Sequence, residues 1–209
     1  MRDEERDPRL YTGRMGEHAV PHEPLSVEEY LKLEETSQKR HEYVAGNVYA
    51  HAGGTRRHDV ICGNLFALLW NASRGGPCRV HTADRLLRAS DDVIYYPDVM
   101  VVCPPEGEVE DNEALFEDSP SLIVEVTSPT TEATDRREKM LAYRRIPSLR
   151  AYLIVAQESQ RVERHWRDEA GRWWQAEAVG PEGVVPVPRP EVELTLEQIY
   201  EGLREPTGD

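Results

Sequence analysis

The sequence predicts an α/β fold in which a mixed β-sheet is flanked by helices. Helix-like and strand-like patterns alternate along the chain, and residues 121–156 combine a strand, a helix and a second strand. A strand that returns through a helix lies parallel to its partner. The apolar runs before residue 121 are short and can pair antiparallel, so the whole sheet is predicted to be mixed.

The composition is that of a globular protein. The 209 residues are 39% hydrophobic and 31% charged, enough for one core. No apolar run approaches the roughly 18 residues of a membrane span, and residues 1–8 lack the apolar stretch of a signal peptide. We therefore expect a cytoplasmic protein with no membrane partner. A formal net charge of −14 argues against broad, non-specific nucleic-acid binding.

The N-terminal region divides into a tail and the start of a domain. Residues 1–24 are polar and contain prolines without a helical period, which predicts a flexible tail. Residues 25–209 carry the apolar patterns, show no repeat and are interpreted as one domain. Ser26 and Glu29 have the spacing of a capping box, so the first helix is predicted to begin after Ser26.

The later elements follow from apolar runs and from the glycines and prolines between them. The predicted elements are a hairpin over 41–50 that turns at Ala45-Gly46-Asn47, a helix over 57–73, strands near 79–88 and 94–103, a strand at 121–127 after an acidic loop, a helix from Pro129 to Ile146, a strand at 150–156, a hairpin formed by 161–167 and 172–179, and a helix over 196–203.

Cysteine usage predicts neither cross-links nor a structural metal. Cys62, Cys78 and Cys103 form neither a disulfide framework nor a Cys-x-x-Cys pair. Cys62 and Cys103 lie in apolar segments and are expected to pack as small hydrophobic side chains. The spacing of the cysteines and histidines matches no structural zinc site, so zinc is not predicted.

Two of the apolar strands each carry one carboxylate. Asp98 follows Pro97 in the strand near 94–103, and Glu125 lies within the strand at 121–127. Charged side chains are rarely buried unless they are paired or bind a metal. A single acid in such a strand is expected to reach water at the strand end or to pair with an arginine. Two acids with a lysine nearby favour a site for a hard divalent cation.

The lysine is Lys139, on the helix that follows the second strand. Helical spacing places it on one stripe with Asp135, Ala142, Tyr143 and Ile146. Three of these residues can face the core, so Lys139 would need an anionic partner or substrate there. An exposed Asp135–Lys139 pair is the alternative interpretation.

These residues suggest a metal-dependent phosphodiesterase. Asp98 and Glu125 would bind Mg²⁺ or Mn²⁺, which polarises a scissile phosphate and activates water, while Lys139 stabilises the developing charge. Glu42 is either a third carboxylate of this site or a solvated strand residue. His58, at the start of the second helix, either contacts phosphate or is simply exposed.

A basic cluster lies on or beside the helix that carries Lys139. Its members are Arg136, Arg137, Arg144 and Arg145. The cluster either touches a phosphate backbone or forms a solvated face.

Together these segments resemble a large bacterial family of the restriction endonuclease type, within the PD-(D/E)xK nuclease superfamily. The matching segments, which cover roughly residues 25–200, are Glu42-Tyr-Val-Ala-Gly46, His58 with Asn64-Leu65, Tyr96-Pro-Asp98-Val, and Glu125-Val-Thr-Ser128-Pro-Thr leading to Asp135, Lys139 and Tyr143. The resemblance implies a restriction-endonuclease-like core, divalent-metal-dependent cleavage of DNA and a homodimer.

The resemblance also implies roles for individual residues. Asp98 and Glu125 match the metal carboxylates, and Glu42 matches an upstream acidic residue. The superfamily places its lysine two residues after the glutamate, where this chain has Thr127; Lys139 would be the relocated lysine. His58 and Tyr143 are assigned to substrate binding.

Two other functions share these residues. A catalytically inactive nuclease-fold module for binding or assembly fits the acidic composition. A phosphodiesterase that acts on nucleotides or RNA would use the same site. Metal affinity distinguishes the first of these from the nuclease, and a substrate panel distinguishes the second.

Overall fold

The computed structural model describes residues 23–50, 54–105, 113–127 and 135–203, with the side chains of residues 135 and 136 excepted. Nearly all of the predicted N-terminal tail lies outside these ranges. The predicted helix start at Pro129 and the Asp135 side chain also lie outside the described residues.

Strands dominate the described chain. They are β1 (His41–Val44), β2 (Asn47–Ala50), β3 (Arg79–Thr82), β4 (Leu86–Ser90), β5 (Val93–Tyr95), β6 (Val99–Val102), β7 (Phe116–Glu117), β8 (Pro120–Thr127), β9 (Ala151–Ala156), β10 (Arg161–Arg167), β11 (Trp173–Val179), β12 (Val184–Pro188) and β13 (Glu191–Thr195). The helices are α1 (Val27–Thr36), α2 (Arg56–Ser73), α3 (Met140–Tyr143) and α4 (Leu196–Ile199), and a π-helical turn (Asp135–Lys139) leads into α3.

The strands form two larger sheets and one hairpin. A six-stranded sheet has the order β11-β10-β9-β8-β6-β3, a five-stranded sheet has the order β2-β1-β5-β4-β7, and β12 pairs with β13. β8 and β9 are parallel, as predicted from their helical crossover, whereas β6 and β8 are antiparallel. The predicted fold class, a mixed sheet flanked by helices, is confirmed.

The first helix and hairpin form for the local reasons predicted. The Ser26 hydroxyl accepts the Glu29 N–H, and the Glu29 carboxylate accepts the Ser26 N–H. Ala45 and Gly46 both have positive φ, 47° and 87°, as a tight two-residue hairpin requires. A Cβ on Gly46 would lie 2.3 Å from Pro24 Cβ, so Gly46 also permits the N-terminal segment to pack closely.

The predicted strand near 94–103 is two strands in different sheets. β5 ends at Tyr95 and belongs to the five-stranded sheet, whereas β6 begins at Val99 in the six-stranded sheet. Pro97 lies between them, has no N–H to donate and interrupts the ladder. Asp98 therefore stands at the passage between two sheets and not within a strand. The predicted strand 79–88 is likewise divided, into β3 and β4.

The prediction that cysteines would not pair was wrong. Cys78 and Cys103 form a disulfide across 25 residues of sequence. Arg79 pairs with Val102 in the antiparallel β3–β6 ladder. Cys78 precedes Arg79 and Cys103 follows Val102, so this pairing brings the two cysteines together. This contact depends on strand pairing, which the cysteine spacing does not reveal. Cys62 remains a free thiol.

The C-terminal region also differs from its prediction. The β12–β13 hairpin was not predicted, because Pro186, Pro188 and Pro190 within 184–195 obscured its alternating pattern. Val185 and Val187 of this hairpin are buried, whereas their neighbours are exposed. α4 is one short turn and ends at Ile199, not at Leu203.

The six-stranded sheet is covered on both faces. On one face, α2 packs Ile61, Leu65 and Leu69 against alternate residues of β6 and β8. On the other face, Tyr143 and Ile146 pack against the side chains of the same two strands that point to that face. Every residue of β8 is buried as a result, and each large apolar side chain contributes about 1.5–3 kcal/mol by leaving water. Among the described residues, no helix is both long and apolar enough to span a membrane.

Candidate active site

Glu125 is a buried carboxylate in the middle of the sheet. It is 3% exposed and points to the same side of β8 as Ile123. The Tyr143 hydroxyl donates a hydrogen bond of 2.7 Å to Glu125 Oε1, and the Lys139 ammonium donates one of 3.2 Å to the same oxygen. Two donors on the helical segment after β8 therefore hold this carboxylate.

Asp98 is the second buried carboxylate, 6% exposed. Its Oδ2 accepts the Val126 N–H at 2.7 Å, and its Oδ1 lies 3.2 Å from His58 Nε2. Burial raises the pKa of Asp98, but the hydrogen bond and charge of His58, the Val126 N–H and the charge of Lys139 together outweigh it. The pKa of Asp98 consequently lies below its ordinary value, and the group is held ionised.

Lys139 links Glu125 to a third carboxylate, Glu42. The Lys139 Nζ lies 3.0 Å from Glu42 Oε1 and 5.5 Å from the centre of the Tyr95 ring. Lys139 is 6% exposed, which rules out the exposed surface pair considered for it. Glu42 Oε1 is buried. It lies within ion-pair distance of Lys139 Nζ, but the angles of this contact are not those of a hydrogen bond.

The cluster brings three buried carboxylates together. Asp98, Glu125 and Glu42 are at most 6% exposed. Among the described residues, Lys139 pairs with Glu42 and Glu125, and His58 contacts Asp98. Because carboxylate oxygens are the preferred ligands of hard divalent cations, the donor set fits such a cation.

A neighbouring polar network holds the strand that carries Glu42. His41 Nδ1 lies 2.6 Å from Glu34 Oε1, and the Tyr96 hydroxyl donates to Glu34 Oε2 at 2.9 Å. The Tyr30 hydroxyl donates to the backbone carbonyl of His41 at 2.7 Å. These contacts connect α1, β1 and the segment after β5, so they fix Glu42 relative to Asp98.

The two predicted substrate-binding residues have different positions. His58 is near the cluster, and its side chain is 19% exposed. Tyr143 is fully buried, so the predicted direct contact with substrate does not fit its position. Burial, and then the charge of Glu125, raise the pKa of Tyr143 well above its ordinary value. The Tyr143 hydroxyl therefore stays protonated and donates its hydrogen bond to Glu125.

Lys139 lies at a different sequence position from the lysine of the superfamily pattern. Thr127, at the position where the pattern has lysine, is 4% exposed and ends β8. Lys139 reaches Glu125 from the π-helical turn, a distortion that often occurs at functional sites. The ammonium therefore comes from the next element.

Sequence reasoning missed Cys62 as a member of this region. The donor atoms of His58, Cys62 and Asp98 all lie within 4.8 Å of one another. The available signal was the spacing of His58 and Cys62, four residues apart, which places both on one face of a helix. Only the fold adds Asp98 to that pair.

Comparison with known proteins finds relatives of this chain in Synechocystis sp. and a solved structure with a similar fold. Two uncharacterized proteins of Synechocystis sp. are 36% and 32% identical over 156 and 151 residues, which are 74% and 72% of this chain and 80% and 84% of the relatives. A crystal structure from Anabaena variabilis, described as a putative nuclease belonging to DUF820, has a TM-score of 0.69 and 18% identity. The match covers 85% of this chain and 98% of that one, and it shows the fold.

The family itself is shown by a profile match to residues 27–198. The matched range includes the four site residues Glu42, Asp98, Glu125 and Lys139, and it is consistent with the PD-(D/E)xK superfamily. The chain thus belongs to the family described as "Uma2: Putative restriction endonuclease".

Proposed function

We propose that this protein is a divalent-metal-dependent endonuclease that hydrolyses phosphodiester bonds in DNA. The observation that carries the proposal is the pairing of Glu42 and Glu125 with Lys139, beside Asp98, which is bonded to the backbone of Val126. All four side chains are buried. Membership of a family described as restriction endonucleases supports a nuclease-like function. The grouping of three buried carboxylates supports a divalent cation as its cofactor.

Asp98 and Glu125 would hold the ion, Mg²⁺ or Mn²⁺. When bound, the ion polarises the scissile phosphate and lowers the pKa of its water. Asp98 is prepared for this role because Val126 fixes one of its oxygens. Lys139 would neutralise charge that develops on the phosphate, and its ion pair with Glu42 keeps the ammonium aimed at the site. Glu42 would also accept a hydrogen bond from the attacking water.

Tyr143 acts as a positioning residue in this proposal. Its hydroxyl donates to the Glu125 oxygen that also receives Lys139. Ligands that are themselves hydrogen-bonded hold a metal more rigidly. Tyr143 therefore orients Glu125 without touching substrate.

The helical segment that carries Lys139 supports a nucleic-acid substrate. Arg137 and Arg145 on this segment are exposed, and the half-buried Arg144 stacks on Trp173, with its guanidinium carbon 5.5 Å from the ring centre. These arginines supply positive charge on the segment that carries Lys139, in a chain of net charge −14. Arginines in such a position would contact the phosphate backbone.

The assembly and location remain part of the proposal. We propose a homodimer that acts in the cytoplasm, with residues 25–209 as its nuclease domain. Sedimentation at several protein concentrations tests the dimer, and fractionation of cells tests the location.

The decisive test is cleavage of supercoiled plasmid with Mg²⁺ or Mn²⁺. We expect nicking that requires the metal and is lost in Asp98→Ala, Glu125→Ala and Lys139→Ala. Glu177→Gln, in an exposed strand residue of β11, is the matched control and should retain activity. Circular dichroism checks that each variant is folded. Undiminished nicking by folded Asp98→Ala or Glu125→Ala would refute the assignment.

A binding or assembly module is the second candidate, because the net charge of −14 disfavours nucleic acid. Calorimetric titration with Mn²⁺ separates the two. Binding that is lost in Glu125→Gln favours the nuclease. Failure of the wild type to bind Mn²⁺ and to nick any substrate favours the module.

A further inference from the structure

One edge of the six-stranded sheet is a long strand with an open side. β11 stands at the end of the strand order, so β10 is its one ladder partner among the described residues. It has seven residues, whereas the other edge strands of the two larger sheets, β2, β3 and β7, have four, four and two. The open edge of β11 is therefore the longest in these two sheets.

β11 lacks the features that usually keep an edge strand from pairing. Lysine, proline and β-bulges protect most edges. The strand Trp173-Trp-Gln-Ala-Glu-Ala-Val179 contains neither lysine nor proline, and its ladder with β10 runs without a register shift. Trp174 and Val179 are 49% and 64% exposed. A regular, exposed and partly apolar edge of this kind is a template for another strand.

The hydrogen bonds of the hairpin identify which backbone groups face the open side. The Asp168 N–H donates to the Arg172 carbonyl, and the Gly180 N–H donates to the Gln160 carbonyl, at 2.9 Å each. Hydrogen-bonded and non-hydrogen-bonded pairs alternate along an antiparallel ladder, so the even-numbered residues of β11 bond to β10. The backbone groups that point away from β10 are those of Trp173, Gln175, Glu177 and Val179.

A second copy of β11 fits this edge when a two-fold axis passes through Ala176. Gln175 then lies opposite Glu177, and Trp173 lies opposite Val179, so all four outward-facing residues of each copy exchange backbone hydrogen bonds. The Gln175 amide can donate to the Glu177 carboxylate. An aromatic side chain opposite a β-branched one is a favourable cross-strand pair.

The neighbouring registers fit less well. An axis through Gln175 leaves Val179 outside the paired residues, and an axis through Glu177 places two carboxylates directly opposite each other, which is destabilising. The axis at Ala176 separates these carboxylates, and Arg161 Nη1 lies 3.1 Å from Glu177 Oε1 within each chain. It also places the large Trp174 side chain opposite the small Ala178. The strand is thus complementary to itself in charge and in size.

We propose that β11 pairs antiparallel with β11 of a second copy about a two-fold axis at Ala176, which joins two six-stranded sheets into one. This interface rests on the homodimer of the proposed function and specifies how it forms. Backbone hydrogen bonds supply the pairing, and burial of Trp174 and Val179 adds apolar contact. The interface does not depend on nuclease activity.

Disulfide cross-linking tests the register. Directly opposed residues at a non-hydrogen-bonded position have Cα atoms about 4.5 Å apart, within disulfide reach. Ala176 would lie opposite itself, so Ala176→Cys should give a covalent dimer on a non-reducing gel after mild oxidation. In Glu177→Cys, the two new Cα atoms would be more than about 7 Å apart, and this matched variant should not cross-link. The wild type, whose free cysteine is Cys62, gives the background.

A backbone substitution tests the hydrogen bonds. Gln175→Pro removes an N–H that faces the second copy and leaves the β10–β11 hydrogen bonds in place. Because the two-fold axis removes this bond twice, we expect the dimer dissociation constant, measured by sedimentation equilibrium, to rise at least about 10-fold. Gln175→Thr keeps the N–H and should remain a dimer. Circular dichroism checks that each variant is folded.

A side-chain substitution tests the apolar contact without altering the backbone. Val179→Lys should also raise the dissociation constant at least about 10-fold, because a lysine on an edge opposes strand pairing. Leu141→Lys is the matched control, since Leu141 is equally exposed at 64% but lies on α3, and it should leave the constant unchanged.

The outcomes separate this interface from the rest of the proposed function. A dimer retained in Gln175→Pro and Val179→Lys, with no cross-link in Ala176→Cys, would overturn the interface alone. A wild type that is monomeric at every concentration would overturn the interface and the homodimer together. Absence of nicking by a dimer that cross-links through Ala176→Cys would refute the nuclease and support the interface.

Discussion

At the scale of single residues, a buried ammonium joins two of the site carboxylates. Lys139 Nζ lies 3.0 Å from Glu42 Oε1 and 3.2 Å from Glu125 Oε1. A buried ion pair adds little net stability, because desolvation offsets the Coulomb attraction, but removing one partner leaves an uncompensated charge. The stability of the metal-free protein should therefore respond to Lys139 more than to exposed charges.

We expect Lys139→Met to lower the free energy of unfolding by about 3–5 kcal/mol without metal. Urea unfolding in the presence of EDTA measures this loss, and Mn²⁺ should restore part of it. Lys32→Met is the matched control, because Lys32 forms an exposed pair with Glu28 and should change stability by less than about 0.5 kcal/mol. Equal effects of the two substitutions would show that Lys139 does not balance buried charge.

Tyr143→Phe removes a single hydroxyl and keeps the packed ring. We expect a loss of about 10–100-fold in Mn²⁺ affinity, because Glu125 loses the donor that orients it. Calorimetric titration gives the affinity, and melting checks the fold. Tyr43→Phe, whose hydroxyl donates to the Leu25 carbonyl, should leave metal affinity unchanged. Unchanged Mn²⁺ affinity in Tyr143→Phe would show that Tyr143 does not position Glu125.

At the scale of elements, hydrogen bonds to one carboxylate stabilise the β10–β11 hairpin. The Asp168 carboxylate accepts hydrogen bonds from the Trp174 indole at 2.8 Å and from the Arg172 backbone N–H at 2.9 Å. These donors, led by Trp174, lower the pKa of Asp168 to about 2. The pKa of Asp168 is lower in the folded protein than its ordinary value of 3.8, so its hydrogen bonds stabilise the hairpin above pH 3.8. That stabilisation is lost as the pH falls toward 2.

The pH dependence of this hairpin is directly measurable. In a proton NMR titration, we expect the Trp174 indole N–H signal to stay protected from exchange through pH 4 and to lose protection only near pH 2. Asp168→Asn should remove this dependence and expose the indole at every pH. A loss of protection already complete at pH 4 would show that Asp168 has an ordinary pKa.

At the scale of the whole molecule, an acidic chain must bind a polyanion through a small positive area. Arg137, Arg144 and Arg145 lie on the helical segment that carries Lys139, whereas the formal net charge of the chain is −14. Few phosphates can then be contacted, and the salt dependence of DNA binding should be shallow.

We expect DNA affinity to fall about 10- to 40-fold between 50 and 200 mM salt, as two or three phosphate contacts require. Fluorescence anisotropy at several salt concentrations measures the slope. Arg145→Glu should reduce the slope by about one contact. Arg74→Glu, at the C-terminal cap of α2, which packs on the other face of the sheet from Tyr143 and Ile146, should leave the slope unchanged. Equal slopes for wild type and Arg145→Glu would place the DNA elsewhere.

The sequence by itself determined the fold class and the principal elements. The Ser26–Glu29 capping box, the positive-φ turn at Ala45-Gly46 and the crossover between β8 and β9 follow from local preferences and connection rules. Asp98, Glu125 and Lys139 were identifiable because a charge within an apolar pattern demands a partner. Their convergence in one cluster agrees with that reasoning, although their catalytic roles remain proposals.

Only the tertiary structure decided which partners these residues have. Pro97 divides one apolar run between two sheets, and that passage brings Asp98 to His58 and Cys62. Strand pairing joins Cys78 to Cys103 across 25 residues, and helix packing buries Tyr143 against Glu125. The physical reason is common to all three contacts. Local sequence sets φ, ψ and periodicity, whereas contacts between distant residues arise from which buried faces pack together.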